Sequence, residues 1–414
     1  MNLKNILNYG KMFFKWLLIG IIIGGICGIL GSAFHLSIDY VTEFRMENSC
    51  ILLLLPFGGL IITLLYSLFN KQGKIDTNRV IESKRNDDEK VPLVMAPLIF
   101  ISTIITHLFG GSAGREGAAL QLGGSIGYNV GKLFRLNKKN MHIIVMSGMS
   151  GVFAALFGTP LTAAIFSLEV VNVGVFHYAA LLPCVISSVV SYEIANMLGI
   201  SPVHFSGVIF ESLSMELVIK VILLSVLFAL ISILFCFSIK KCEHYSKKFI
   251  RNNYIRAFAG GIIIVLLTIL LRTYDYNGTG MNVITDAISG NAKPEAFILK
   301  IIFTAITISA GFKGGEIVPA FFVGSTFGCV AGSILGIDAG FGAAMGFVAL
   351  FCGVVNCPIA SIFLALEVFG EEGILFFTIV CSVSYMMSGC FGLYKSQKII
   401  YSKLDAELID INTK

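Results

Sequence analysis

The stretch "GGSAGREGAALQLGGSIG" at 110–127 sets Arg115 and Glu116 among glycines inside an apolar region. No Lys, Arg, Asp or Glu stands between Lys90 and Arg115. Outward from it the chain stays greasy: 56% of its 414 residues are hydrophobic and only 13% are charged. Soluble domains carry about a quarter charged residues. No soluble fold of this length hides so much apolar surface, so the chain reads as an integral membrane protein. Apolar runs recur at 12–35, 50–68, 92–109, 142–172, 177–198, 214–238, 257–271, 296–311, 316–335, 339–370 and 373–391, read as about ten spans. The first run has no small-residue cleavage site and reads as a first membrane helix. The ten cysteines lie mostly in apolar runs without a CxxC pair and read as packing residues. The histidines, His177 and His204 among them, are scattered and form no ligand set.

Lys and Arg mark the cytoplasmic side. The basic N-terminus, the loop 70–90 with Lys71, Lys74, Arg79, Lys84, Arg85 and Lys90, "KLFRLNKKN" at 132–140 and "KKCEHYSKKFIRNNYIR" at 240–256 all read as inside. The loop 36–49, with Asp39, Glu43 and Glu47 against Arg45, reads as outside, as does 200–216. Both termini are expected in the cytoplasm. The net charge of +5 reflects these loops and points to no nucleic acid.

The chain also repeats itself. "GTPLTAAIFSLEV" at 158–170 faces "NCPIASIFLALEV" at 356–368, pairing Pro160 with Pro358 and Glu169 with Glu367, each 198 apart. "GREGAALQLGGS" at 114–125 faces "GGEIVPAFFVGS" at 314–325, pairing Glu116 with Glu316 at 200, and Asn78 pairs with Asn282 at 204. Three blocks in one order indicate a duplication, and the loop charges give the second copy the opposite sense of insertion. An inverted-topology repeat places its substrate at mid-membrane, where broken helices aim their N-termini. The glycine-rich segments occupy those positions.

A helix that starts at mid-membrane leaves its first N–H groups unpaired, and these make an anion site without a lysine. Irregular backbone at that depth must be buried or line a cavity. An ionised Glu116 can occupy such a site, and on protonation vacate it, serving as gate and proton carrier. Its alternative role is a helix cap paired with Arg115, which itself either fixes the loop or binds the ion. Thr77 and Asn78 read as anion ligands or as a turn and N-cap before a helix at 79–83. Met281 and Asn282 are pore lining or a membrane-edge turn. Glu316 is a proton-path carboxylate or a helix cap. Glu169 and Glu367 read as structural helix-end residues. Phenylalanines near 321–327 are packing residues or present ring edges to an anion.

At these motifs the chain resembles the CLC family of chloride channels and anion–proton exchangers. "GREG", "GGEIVP" and a tyrosine near the C-terminal end follow the family's order over about 12–400. The resemblance implies an all-α membrane fold, a CLC-type inverted repeat with broken and re-entrant helices, in a single domain over 1–414. Repeat one covers about 12–200 and repeat two about 214–394, with no cytoplasmic regulatory domain after Tyr401. It implies a homodimer with one pore per subunit in the plasma membrane, contacting lipid and using no cofactor or metal. The GSGIP motif of chloride-handling members is absent, and "GKIDTNRVIES" stands there instead. "MAPLIFISTIITHLFGGSAGREGAALQLGG", "GFKGGEIVPAFFVGS" and the tyrosine of "GLYKSQKI", Tyr394, are similar to the bacterial fluoride–proton antiporter branch. Tyr394 reads otherwise as an interfacial aromatic. Val170 stands where many chloride exchangers keep an inner proton glutamate, and Val318 where this branch often has threonine.

The resemblance thus implies a fluoride/proton antiporter, with fluoride and protons as partners. Glu116 is its gate, and Glu316 lies on its proton path. Thr77, Asn78, Gly114, Arg115, Gly117, Met281, Asn282, Val318 and Tyr394 are the anion-site candidates. A chloride/proton exchanger or passive chloride channel is the alternative. A membrane enzyme built on Glu116 and Glu316 has no support from HExxH, a Ser/His arrangement or a metal cluster.

Overall fold

The computed structural model describes residues 3–69, 76–83 and 90–414. Lys71, Lys74, Lys84 and Arg85, on which the expected cytoplasmic placing of the loop 70–90 rests, lie outside the described residues. Among those described are sixteen α-helices. The first eight are α1 (Leu3–Glu47), α2 (Leu55–Phe69), α3 (Thr77–Glu82), α4 (Met95–Leu108), α5 (Glu116–Leu133), α6 (Lys138–Phe157), α7 (Pro160–Glu169) and α8 (Leu181–Met197). The second eight are α9 (Met215–Phe249), α10 (Asn253–Leu271), α11 (Met281–Ile288), α12 (Ala296–Ala310), α13 (Ile317–Ile334), α14 (Ala339–Val355), α15 (Pro358–Phe369) and α16 (Ile374–Met387). The series match pairwise. A long first helix, a short third and a broken pair at the seventh position recur in order. The packing recurs too: α5 lies on α6 and α13 on α14, while α8 lies on α1 and α16 on α9.

Among the described residues, seven helices are long and apolar enough to cross a membrane, and five more are apolar but shorter. The expected runs 142–172 and 339–370 are each two helices. Gly158, in the left-handed region at φ 69°, ends α6, and Pro160 opens α7. Asn356 at φ 57° ends α14, and Pro358 opens α15. A proline at the first helical position has no N–H to leave unpaired, so it restarts a helix where the previous one has stopped. The expectation that 36–49 is a loop is corrected. Residues up to Glu47 continue α1, a helix of 45 residues, and turn Asp39 and Arg45 toward the loop before α5.

Small residues let the central pairs approach. A Cβ on Gly123 of α5 would land on the Gly148 carbonyl of α6, and one on Gly324 of α13 on the Gly346 carbonyl of α14. Membrane helices associate through such close contacts because lipid offers no hydrophobic drive between them. A small three-stranded sheet departs from pure α. β2 (Lys398–Tyr401) runs parallel to β1 (Asn172–Val173) and antiparallel to β3 (Leu408–Asn412). It folds the segment after Tyr394 back against the start of the α7–α8 connection.

A candidate anion site between two helix N-termini

The centre of the molecule is where the two glycine loops meet. Gly114 and Gly315 exchange backbone hydrogen bonds in both directions, each at 2.6 Å. This pair fixes the starts of α5 and α13 against each other. Thr106 accepts from the Lys313 N–H at 3.2 Å and Thr307 from the Ser112 N–H at 3.1 Å, so each loop is also braced by a threonine from the other series.

Glu116, the first residue of α5, is fully buried. Its Oε2 accepts a hydrogen bond at 3.3 Å from the Val318 N–H in the first turn of α13, and its Oε1 has no partner. A Cβ on Gly114 would occupy the position of that carboxylate, and one on Gly315 would come within 3.1 Å of it. Gly114 leaves room for the carboxylate, whereas at Gly315 the backbone nitrogens of Gly117 and Glu116 would come closer still, 2.5 and 2.9 Å from such a Cβ. Glu316 caps α13 without bonding it through its side chain. Gly117 lies against the Gly315 backbone, and a Cβ there would sit 3.6 Å from Glu316 Oε2. Glu116, Glu316, Gly114, Gly117 and Val318 are therefore gathered at one point.

Thr77 joins them. Its hydroxyl donates to the Gly117 carbonyl at 3.3 Å and accepts from Gln121 Nε2 at 3.0 Å. The turn-and-cap alternative for Thr77 and Asn78 is corrected: Asp76 is the N-cap, accepting from the Arg79 N–H at 3.1 Å, and Thr77 and Asn78 are the first residues of α3. Asn78 Oδ1 accepts from the Ser396 N–H at 3.0 Å, which ties α3 to the turn after Tyr394. Tyr394 is buried with its hydroxyl unpartnered, close enough to Glu316 and Glu116 to feel their charge. Gln121 Oε1 is likewise buried and bare. Buried polar atoms are seldom left without partners, and here three residues of one neighbourhood carry one each.

Other candidates lie apart. Arg115 points away from the carboxylate, its guanidinium bonding Asp39 at 3.1 Å and the Leu156 carbonyl at 3.4 Å. It fastens the loop to α1 and α6. Met281 and Asn282 begin α11, with Asn282 exposed and Met281 packed on the core. Neither makes a hydrogen bond to the Glu116 neighbourhood among the described residues. Phe321 is buried in a stack on Phe347, with ring centroids 3.9 Å apart. Glu169 and Glu367 are reciprocal helix-end residues. Glu169 accepts from the Ile359 and Ala360 N–H groups at the start of α15, at 3.2 and 2.9 Å. Glu367 accepts from Leu161 and Thr162 at the start of α7, both at 2.8 Å.

Several neighbours escaped the sequence reading. Gln121 stands four residues after Gly117 on α5, so helical spacing alone puts it on the same face. His107 is fully buried, with Nε2 3.4 Å from the Gly114 carbonyl. Lys300 of α12 is fully buried, donating to the carbonyls of Gly278 at 2.8 Å and Tyr276 at 3.2 Å, over the Phe322 ring. Arg45 donates to the His107 carbonyl. Neither cation has a carboxylate partner among the described residues. The 277–278 turn they hold is itself docked on the glycine loop, through Asn277 to Gly110 at 2.9 Å and Gly278 to Gly111 at 3.2 Å.

Two matching series of apolar helices, meeting end-on around the buried Glu116 carboxylate, define a polytopic all-α membrane protein. The profile of the voltage gated chloride channel family matches residues 57–389. The chain belongs to that family, the CLC proteins. It is 34% identical over 397 residues to the chloride/fluoride channel protein of Pseudomonas syringae pv. tomato, covering 94% of this chain and 87% of the relative. The solved structure of a CLC-type fluoride/proton antiporter superposes with a TM-score of 0.89 at 30% identity, covering 93% of this chain and 98% of that one. The fold is shared with a slow cyanobacterial Cl-/H+ antiporter, at a TM-score of 0.76 and 20% identity over 90% of this chain and 94% of that one.

Proposed function

We propose that the protein is a fluoride/proton antiporter that exports fluoride from the cytoplasm in exchange for proton uptake across the plasma membrane. The observation that carries this reading is the Glu116 carboxylate accepting from the Val318 N–H at the N-terminus of α13. A carboxylate oxygen there is an anion held by helix backbone, which is what a transported halide needs at the same place. Protonation weakens its hold, Glu116 withdraws, and fluoride takes the N–H groups. One side chain then couples two opposite fluxes. Glu316, beside Gly117, serves the proton route, and the Tyr394 hydroxyl and the second N–H of the Gln121 amide offer donors along the anion route, with Thr77 holding Gln121 in place. Fluoride is small and strongly hydrated, so its dehydration must be offset by several short hydrogen bonds.

The two helix series are the repeats, about 12–200 and 214–394, inserted with opposite sense, and two copies form a homodimer with a pore in each. The two relatives named for fluoride stand at 34% and 30% identity, the first of them named for chloride as well. The test is efflux from proteoliposomes, with fluoride and chloride electrodes and internal pH recorded together. Fluoride leaving faster than chloride while the interior acidifies is the expected result. The Glu116→Gln variant should lose the pH change. Chloride leaving as fast as fluoride would replace this reading with a general anion transporter of the same family.

A further inference from the structure

The basic end of α9 carries a feature that lies outside the central site. Phe237, Lys240, Lys241 and His244 follow one another at helical spacing and share a face. With Phe391 and Lys414 they line a cleft of 320 Å³. The cleft is open to one side, and its walls are chiefly ring and methylene surface. Lys240 donates to the Lys414 carbonyl at 2.5 Å. Lys241 lies over the rings of Phe237 and Tyr245, 5.4 and 5.9 Å from their centroids, and meets no carboxylate among the described residues. The neighbouring acid, Glu243, is held by Lys247 and by Lys395, the latter at 2.8 Å. The cleft is thus a basic rim over an apolar wall.

Its level in the membrane follows from the sequence of α9. From Val221 to Ile239 the helix has no charged residue, a length of about 28 Å at 1.5 Å per residue. That is close to the hydrocarbon thickness of about 30 Å. Lys240 and Lys241 therefore stand where the acyl chains end and the headgroups begin. Phe237, one turn deeper, is 47% exposed and faces the chains.

We propose that this cleft binds the headgroup of an anionic glycerophospholipid, with the phosphodiester between Lys240 and Lys241, His244 at the rim, and the first acyl carbons on Phe237 and Phe391. Charge complementarity selects an anionic headgroup, and clustered basic residues at a cytoplasmic membrane edge attract such lipids. The apolar wall selects lipid over free phosphate, which would leave the rings wet. The site also reaches the transport centre through the backbone. The Lys414 N–H donates to the Cys390 carbonyl at 2.7 Å, and Thr413 Oγ1 donates to the Tyr394 carbonyl at 2.6 Å.

The test uses the full chain in neutral detergent, with phosphatidylglycerol, phosphatidylcholine or inorganic phosphate added. Thermal midpoint and native mass spectrometry are the readouts. Phosphatidylglycerol should raise the midpoint and remain bound, while the other two do neither. Lys240→Gln/Lys241→Gln should abolish both effects, and Lys138→Gln/Lys139→Gln, at another basic helix end, should leave them intact. An equal response to phosphatidylcholine or to phosphate overturns the proposal, as does a response that survives the double substitution. Should the double variant fail to fold, Lys241→Gln decides alone, because that side chain holds no other polar group. It should weaken the phosphatidylglycerol shift, and an unchanged shift overturns the site.

Discussion

At the scale of single residues, Glu116 holds one hydrogen bond where an ionised carboxylate has room for about four. A side chain so thinly held in the interior can leave, and that looseness separates it from Glu169 and Glu367, each bonded through both oxygens. Lys300 makes the opposite case. Its buried amine donates to two carbonyls and lies over a ring, in the turn docked on the glycine loop. Lys300→Met conserves volume and removes the charge. We expect it to stay folded and to slow initial anion efflux by about tenfold, the lower end of what electrostatic focusing supplies. Efflux unchanged at matched reconstitution would make Lys300 a packing residue only. Glu116 was legible because an ionisable residue in an apolar run has few reasons to be there. Lys300 was equally isolated in its run, but nothing in its local pattern says that its head reaches a turn more than twenty residues earlier. The split roles of Arg115 were also unreadable, since its partner Asp39 lies on α1.

At the scale of elements, each broken helix pair is finished by the other series. Removing the carboxylate with Glu367→Ala strips acceptors from Leu161, Thr162 and the Thr162 hydroxyl at once. Hydrogen bonds to a charged group contribute about 2 kcal/mol each, so a marked drop in thermal midpoint is expected, with a smaller drop for Glu367→Gln. A second element-scale prediction concerns the C-terminal hairpin. Lys403, between β2 and β3, donates to Ser388 at 3.0 Å and to the Tyr385 carbonyl at 2.9 Å, and also to Asn356 Oδ1. Burial lowers its amine to about 8. The folded state then binds fewer protons than the unfolded state between pH 8 and the ordinary lysine range. This group's contribution to stability therefore rises with pH across that window and is least favourable below it. The midpoint of the parent minus that of Lys403→Met should climb from pH 8 to pH 10, and a flat difference would mean the amine titrates normally. Gly158, Pro160 and Pro358 carry the signal for these breaks, but each run is apolar throughout and so reads as one span until the helices are seen. The sequence hid the sheet, because two residues of β1 carry no strand signal and pair only with a segment over two hundred positions away.

At the scale of the whole molecule, the repeat was the most legible feature, since three motif pairs at nearly constant spacing need no structure to be seen. What they could not tell is how the copies touch. The loop charges predict that 200–216 faces outward and 240–256 inward. Single cysteines at exposed sites, in a background without the native thiols, test this with an impermeant maleimide on intact cells. A cysteine at Ser212 should label and one at Asn252 should not, and the reverse pattern would invert the molecule in the membrane. The exchange between Glu169 and Glu367 has a consequence for the two halves. Either half standing alone would leave two amide hydrogens at its own seventh helix without an acceptor. Neither is finished without its counterpart, and the same dependence recurs at the centre, where α5 begins with an acid and α13 supplies the amide that bonds it.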